Sequence, residues 1–144
     1  MADTVRDDPY PAYNFTVQID GIALKGSFVE VSGIESEVVP IDYREGGSFA
    51  IRKLPGLHKN GNVTLKRGVI GDLSLWNWFK SVAQGKLVRA NVAITLLDEQ
   101  RNPVCRWKLT NAWPCKYTGP LLNAKSSDVA IESLELVHEG LDIE

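Results

Sequence analysis

Residues 88–110 read VRANVAITLLDEQRNPVCRWKLT, and their period is two. Val92, Ile94 and Leu96 alternate with Asn91, Ala93 and Thr95, the pattern of a strand with one buried face. Asp98 to Pro103 is a polar turn. Val104 to Thr110 then returns, with Cys105, Trp107 and Leu109 on one side and Arg106 and Lys108 on the other. The same period governs the chain upstream. Phe15, Val17 and Ile19 alternate with Thr16, Gln18 and Asp20, Asp20-Gly21 supplies a turn, and Leu24 to Ser32 reads as the return strand. A third strand is expected over Glu37 to Arg44, where Pro40 cannot donate to a ladder and marks an edge, a bulge or a departure from the sheet. Asn62 to Arg67 follows, with Val63 and Leu65 opposite Thr64 and Lys66.

Downstream, Trp113-Pro114 marks a corner before a short strand, Cys115 to Thr118, and Leu121 to Asp128 is a connection. The last strand, Val129 to His138, changes phase, since Val129 and Ile131 share one face and Leu134 and Leu136 the other. A bulge near Glu132-Ser133 would reconcile them. Helical spacing is confined to Leu73 to Gln84, with Asp72 as N-cap and Gly85 in the left-handed position after the last turn. Leu75, Phe79 and Val82 form its apolar stripe, widened by Trp76 and Trp78. Either both tryptophans enter the core, or one does and the other stays part-exposed at an interface. One helix among about eight strands predicts a mainly-β fold, a two-sheet barrel or sandwich with one flanking helix.

Residues 45–61 break the alternation. Gly46, Gly47, Pro55, Gly56 and Gly61 are interspersed with Arg52, Lys53, His58 and Lys59, and Phe49, Ile51, Leu54 and Leu57 are the apolar anchors. A loop this long in a compact domain is functional or disordered, and its apolar residues point to packing on something outside its own domain.

The length of 144 residues suits one domain, 1–144, and 44% hydrophobic with 24% charged residues is a globular composition. A net charge of −2 argues against an electrostatic nucleic-acid binder; the one basic cluster, Arg52, Lys53, His58, Lys59, Lys66 and Arg67, reads as a surface that neutralises acidic partners, with nucleic-acid contact as the alternative. No run of 18 apolar residues is present, so no membrane anchor is expected, and Met1 to Pro11 lacks the apolar segment of a secretory signal. The expectation is a chain made in the cytoplasm. Cys105 and Cys115 read as reduced thiols, although a hairpin centred near Thr110 would set them opposite one another and leave a bond geometrically open. His58 and His138 belong to no metal motif, and GxSxG is absent. Gly46-Gly47-Ser48 precedes no helix, and Asp42, Glu45, Glu132 and Glu135 read as solvated charges rather than an acid/base pair. No enzyme chemistry, cofactor or metal site is expected; the profile fits an assembly protein.

An ordered series of phrases then becomes familiar. Asp8-Pro-Tyr-Pro-Ala-Tyr-Asn-Phe-Thr-Val, Val31-Ser-Gly-Ile-Glu, Tyr43-Arg-Glu-Gly-Gly, Lys53-Leu-Pro-Gly-Leu-His-Lys, Asn62-Val-Thr-Leu-Lys-Arg-Gly-Val, Trp107-Lys-Leu-Thr-Asn-Ala-Trp-Pro and Ala130-Ile-Glu-Ser-Leu-Glu-Leu-Val-His-Glu-Gly resemble the tail tube (inner tube) proteins of contractile phage tails and phage-tail-like contractile injection systems. The resemblance spans about Pro9 to Gly140 and does not separate a phage from an injection system. It implies a structural protein whose hexameric rings stack into a rigid tube inside a contractile sheath. Baseplate and tail terminator proteins would be further partners, and protein or DNA cargo would pass the lumen without sequence-specific contact. Assembly into a phage tail or a particle released outside the cell would follow.

On that resemblance, residues 42–60 are the extended inter-subunit loop. Its stacking residues are Tyr43, Arg44, Glu45, Phe49, Ile51, Arg52, Lys53, Leu54, Leu57, His58 and Lys59, with the cations facing acidic groups of a neighbour. Leu75, Trp76, Phe79 and Val82 are the helix-packing residues, and 1–9 is a flexible N-terminal arm. Lys25, Ser27, Asn91, Thr95, Arg106 and Lys108 are lumen candidates, with the sheet that faces inward left open. The alternative is a ring-forming tube protein of the type VI secretion kind that carries effectors.

Overall fold

In the computed structural model, which describes residues 6–24, 26–47 and 49–144, the alternation across residues 88–110 becomes two antiparallel strands. The elements are β1 (Phe15–Ile19), β2 (Phe28–Ser32), β3 (Ser36–Tyr43), β4 (Arg52–Asn60), β5 (Val63–Gly68), α1 (Ser74–Ala83), β6 (Ala90–Leu97), β7 (Pro103–Thr118), β8 (Ile131–Val137) and β9 (Gly140–Ile143). β7 joins two sheets. Its first half pairs with β6 and β9, and β1 lies beyond β6; its second half pairs with β8, followed by β5 and β2. β3 and β4 form a separate two-stranded sheet.

The inward rows of the two sheets make one core. Ile19, Val92, Ile94 and Leu109 come from one sheet, Val63, Leu65, Leu134 and Leu136 from the other, and Leu75 and Trp78 from α1 complete it. Several of these side chains are wholly enclosed, so truncating one such leucine to alanine costs about 2–5 kcal/mol. Trp78 is 4% exposed and its indole N–H donates to the Val88 carbonyl at 2.8 Å, whereas Trp76 is 39% exposed and stands edge-on to Tyr117. The helix therefore divides its tryptophans between core and surface. Gly85 ends the helix at φ +88, the left-handed conformation that favours glycine. The N-cap position falls to Leu73 rather than Asp72, but Asp72 still accepts from the Ser74 amide at 3.2 Å and the Ser74 hydroxyl at 2.8 Å.

Four expectations are corrected. The return strand over Leu24 to Ser32 shortens to β2 and pairs with β5, not β1; after the Asp20-Gly21 turn a single bridge joins Ile19 to Ile22. The break at residues 45–61 is not one long loop, because Arg52 to Asn60 is strand β4. It pairs with β3 alone and has no buried face, so nothing imposes hydrophobic alternation on it.

The chain does not turn back at Thr110 either. Asn111, at φ 51, takes up the bend of β7 in a left-handed conformation that asparagine tolerates, held by Asn91 Oδ1 and Glu139 Oε2. Cys105 and Cys115 are thus separated along one strand by on the order of 30 Å, and both are free thiols. Finally, the register of β8 on β5 is unbroken from Leu136 to Ile131. No bulge occurs at Glu132; that residue keeps the inward phase and is buried beside Arg67. β9 was not foreseen and adds an edge to β7.

Candidate assembly interfaces

The β3–β4 hairpin is an arm. Among the described residues its strands pair with each other and with no other strand, and their main contacts are with one another. Pro40 stands opposite Pro55 beside a bulge that follows Val38, so the mid-arm ladder loses two donors where the register shifts. Gly56 fits there because a Cβ would approach the Val39 carbonyl oxygen to 2.5 Å.

Directly opposed residues share a face. On one face Ile41 meets Leu54 and Tyr43 meets Arg52, with the Glu37–Lys59 pair at the base; on the other, Val38 meets His58 and Asp42 meets Lys53. Phe49 and Ile51 lie at the tip, Phe49 96% exposed, and Leu57 is 82% exposed. The apolar residues of the arm are therefore presented to solvent from base to tip.

The cations are as exposed as the apolar residues, but three of them are paired on the arm. Arg52 lies 3.5 Å from Glu45, Lys53 pairs with Asp42, and Lys59 lies 3.9 Å from Glu37. Each expected contact with an acidic neighbour thus already has a counterpart on the arm itself. Exposed pairs of this kind are worth little, about 0–1 kcal/mol each, but they leave the apolar stripe as the arm's uncovered chemistry. His58 is bonded to Ser36 Oγ, and Arg44 and Glu45 sit with Gly46, Gly47 and Phe49 around the tip. Ser48 of the glycine-rich stretch lies outside the described residues.

The rest of the basic cluster dissolves in the same way. Lys66 pairs with Glu30 at 3.1 Å. Arg67 is 1% exposed, its Nε donating to Glu132 at 2.8 Å, its Nη1 to Asp72 at 3.0 Å and its Nη2 to the Asp72 carbonyl at 2.7 Å. Tyr117 donates to the second Glu132 oxygen at 2.7 Å, and burial together with that carboxylate pushes its phenol up to about 12. This network ties β5, β7 and β8 to the start of α1. Sequence reasoning missed it, although the phase break at Glu132 was its trace.

At the N-terminal side, Arg6 grips Glu99 through two hydrogen bonds of 2.8 and 2.9 Å and stacks over Tyr10 at 4.1 Å. The guanidinium bonds hold the Glu99 carboxyl down at about 2. Within the segment expected to be flexible, Arg6 is thus tied to the β6–β7 turn; residues 1–5 are outside the described residues. Of the helix residues, Leu75 is buried, Phe79 packs against the core and Val82 is half-buried, while Trp76 reaches the surface beside Tyr117. Among the described residues no cluster of three metal-ligating side chains occurs, and no helix is long and apolar enough to cross a membrane.

An arm that carries an apolar stripe away from a two-sheet body is the geometry of an assembly subunit. Residues 11–142 match the T4-like virus tail tube protein gp19 family. The chain belongs to that family. As a tail tube protein it is also similar to solved tube structures. The PVC sheath–tube complex of an extracellular contractile injection system, in its extended state, contains a chain 28% identical, with a TM-score of 0.86 over 96% of this chain and 93% of that one. The anti-feeding prophage baseplate, six-fold symmetrised, contains another at 28% identity and TM-score 0.85, covering 96% and 97%. The tube-terminating cap of the anti-feeding prophage contains one at 26% and 0.87, covering 99% and 95%. Hcp1 from Flavobacterium johnsoniae, at 14% identity and TM-score 0.63 over 91% and 94%, shares the fold alone. No curated protein matches the sequence. The tail tube protein is thus of the kind found in contractile injection systems.

Proposed function

We propose that this tail tube protein forms six-membered rings that stack into the rigid inner tube of a contractile tail or injection particle. The sheath surrounds the tube, a baseplate and a terminator close its ends, and cargo travels through its lumen. The role is structural, without catalytic turnover. The chain is made in the cytoplasm and becomes part of a particle that acts outside the cell.

The observation that carries this reading is the β3–β4 arm. Its strands make no sheet with the body, yet Ile41, Tyr43, Phe49, Ile51, Leu54 and Leu57 are all exposed on it. An apolar hairpin left in water is an association surface. Closure into a ring needs a head-to-tail interface, and stacking repeats a second one along the axis; one protruding arm per protomer serves such a contact. The six-fold symmetrised particle that holds a chain 28% identical to this one supports the ring size. Similarity to chains of sheath–tube, baseplate and cap assemblies supports the partner classes.

The test is Leu54→Asp. Leu54 is on the arm, not in the core, so the variant is expected to fold with an unchanged melting temperature. It should fail to form tubes under conditions in which the parent chain, expressed with its neighbouring genes, gives hollow stacked rings by negative-stain microscopy. Tubes of normal length from Leu54→Asp would refute the role assigned to the arm.

A further inference from the structure

The arm joins the body through a neck of two short connections, residues 33–35 between β2 and β3 and residues 61–62 between β4 and β5. The body ladder ends with Ser32 opposite Thr64, and the arm ladder starts with Ser36 opposite Asn60. Between these pairs the two connections lie close together. The Gly61 N–H donates to the Glu35 carbonyl at 3.0 Å. Gly33, at φ +84, lies so near the other connection that a Cβ there would run into the Asn62 carbonyl oxygen, and one on Gly61 would meet the Glu35 side chain. Backbones can approach this closely only where a side chain is missing.

A residue of the body holds this neck. His138 follows β8, and the register of β8 on β5, with Leu136 opposite Val63, carries it to the position opposite Gly61. Its Nε2 lies 3.1 Å from the Gly61 carbonyl oxygen and its Nδ1 3.0 Å from the Gly140 carbonyl oxygen, and the residue is half-buried. A carbonyl oxygen only accepts, so each bond takes its proton from the ring nitrogen that makes it. Gly61 is thus engaged through both main-chain groups, its N–H across the neck to Glu35 and its carbonyl to the body. Asn62 also donates to Glu135 Oε2 at 3.1 Å, but that bond is exposed and water competes for both its ends. The Gly140 bond, by contrast, stays within the turn between β8 and β9.

We propose that His138 is a positioning residue for assembly: its bond to the Gly61 carbonyl locks the neck, and the locked neck fixes the direction in which the arm leaves the body. The proposal rests on the assembly role given to the arm above and adds what aims it. A hairpin hinged freely on two short connections samples many directions, and docking on a neighbour has to select one of them. An arm that is already aimed loses less freedom when it docks, and every protomer presents it alike. The apolar stripe and the ion pairs of the arm cannot set that direction, since they lie within the arm itself. The ladder beyond the neck can open and reclose while the neck holds.

The two ring nitrogens can be separated by substitution. The amide nitrogen of glutamine falls near the position of Nε2 and that of asparagine near Nδ1, so His138→Gln keeps a donor for Gly61 and His138→Asn keeps one for Gly140. Nitroxide labels on Leu57→Cys in the arm and Gln18→Cys in β1, in a Cys105→Ser, Cys115→Ser background, report the arm's direction by pulsed electron–electron double resonance on the unassembled full chain. With His138 or His138→Gln the distance distribution is expected to be narrow; with His138→Asn or His138→Ala it should broaden markedly. A broad distribution with His138 in place, or widths that do not depend on residue 138, would overturn the proposal. Breadth in His138→Gln but not in His138→Asn would overturn it too, by placing the effect in the β8–β9 turn.

Hydrogen exchange of the parent chain decides the matter if the variants do not fold. The Gly61 amide is expected to exchange more slowly than the amides of the arm beyond it, and equal rates would overturn the lock. Assembly is read separately by negative-stain microscopy of unlabelled chains. His138→Asn should need a several-fold higher protein concentration than the parent to form tubes, with His138→Gln close to the parent; equal thresholds for all three would overturn the role in assembly. If the parent forms no tubes at all, the assembly role of the arm falls. The label distances still decide whether His138 locks the neck, so the two failures are told apart.

Discussion

Arg67 shows how one residue can be misread by its type. A basic residue next to Lys66 belongs, by composition, to a solvated cluster; in the fold it is the largest side chain fully removed from solvent, and two carboxylates and a carbonyl accept from it. Removing one member of a buried ionic network strands the others. Arg67→Ala is therefore expected to destabilise by about 3–5 kcal/mol, whereas the double variant Arg67→Met, Glu132→Leu should lose clearly less than the sum of its single variants. Urea denaturation of the four species measures that coupling, and additive losses would show that the network is not one unit. Tyr117 adds a pH dependence. Its phenol titrates near 10 when unfolded and at about 12 when folded, because burial and the Glu132 carboxylate disfavour the phenolate. Between those values the unfolded chain binds fewer protons than the folded one, so stability falls as pH rises through that window and the full benefit holds only below about 10. Tyr117→Phe should flatten the decline in urea midpoint between pH 10 and 12. Glu132 was legible only as a phase error in an otherwise alternating strand. A glutamate at an inward position looks like a shifted register unless its buried partner, 65 residues away, is also known.

Among elements, those with one buried face were readable, and of the two arm strands, which have none, β3 was legible over Glu37 to Arg44 while β4 was not. β1, β5 and β6 follow their alternation, and α1 follows the spacing of Leu75, Phe79 and Val82, because a core presses on one side of each. β4 has the same ladder geometry but no core behind it, so residues 52–60 carry no hydrophobic period and read as loop. Their legible signal was chemical, in Phe49, Ile51, Leu54 and Leu57 stranded among charges, and that signal marked an exposed apolar surface even while the secondary structure was missed. β7 failed differently: Trp113-Pro114 has the grammar of a corner, yet Pro114 sits buried inside a continuous strand. The isolation of the arm has a kinetic expression. With no packing beneath it, its amides are expected to exchange hydrogen quickly in the unassembled chain and slowly in tubes, while β5 and β8 amides are slow in both. Hydrogen-exchange mass spectrometry on the two states reads this directly, and an arm equally protected in both would contradict an assembly role.

At the scale of the molecule, pairing between distant segments was the least accessible level. β1 and β2 are neighbours in the chain and begin different sheets, β1 finding β6 and β2 finding β5. No local residue pattern specifies which of several compatible edges meet. The family assignment nevertheless came through, since an ordered series of short phrases survives where the topology cannot be derived. The bend of β7 also has a mechanical meaning. One unbroken run of backbone from Pro103 to Thr118 is woven into both sheets, so the halves of each subunit share a covalent tie rather than side-chain packing alone. A thrust delivered to one half passes to the other along that backbone, and the halves cannot shear apart until the ladders on either side of Asn111 are stripped. For a part that must be driven forward whole, stiffness of this sort comes from continuity of the chain as much as from the density of its interior.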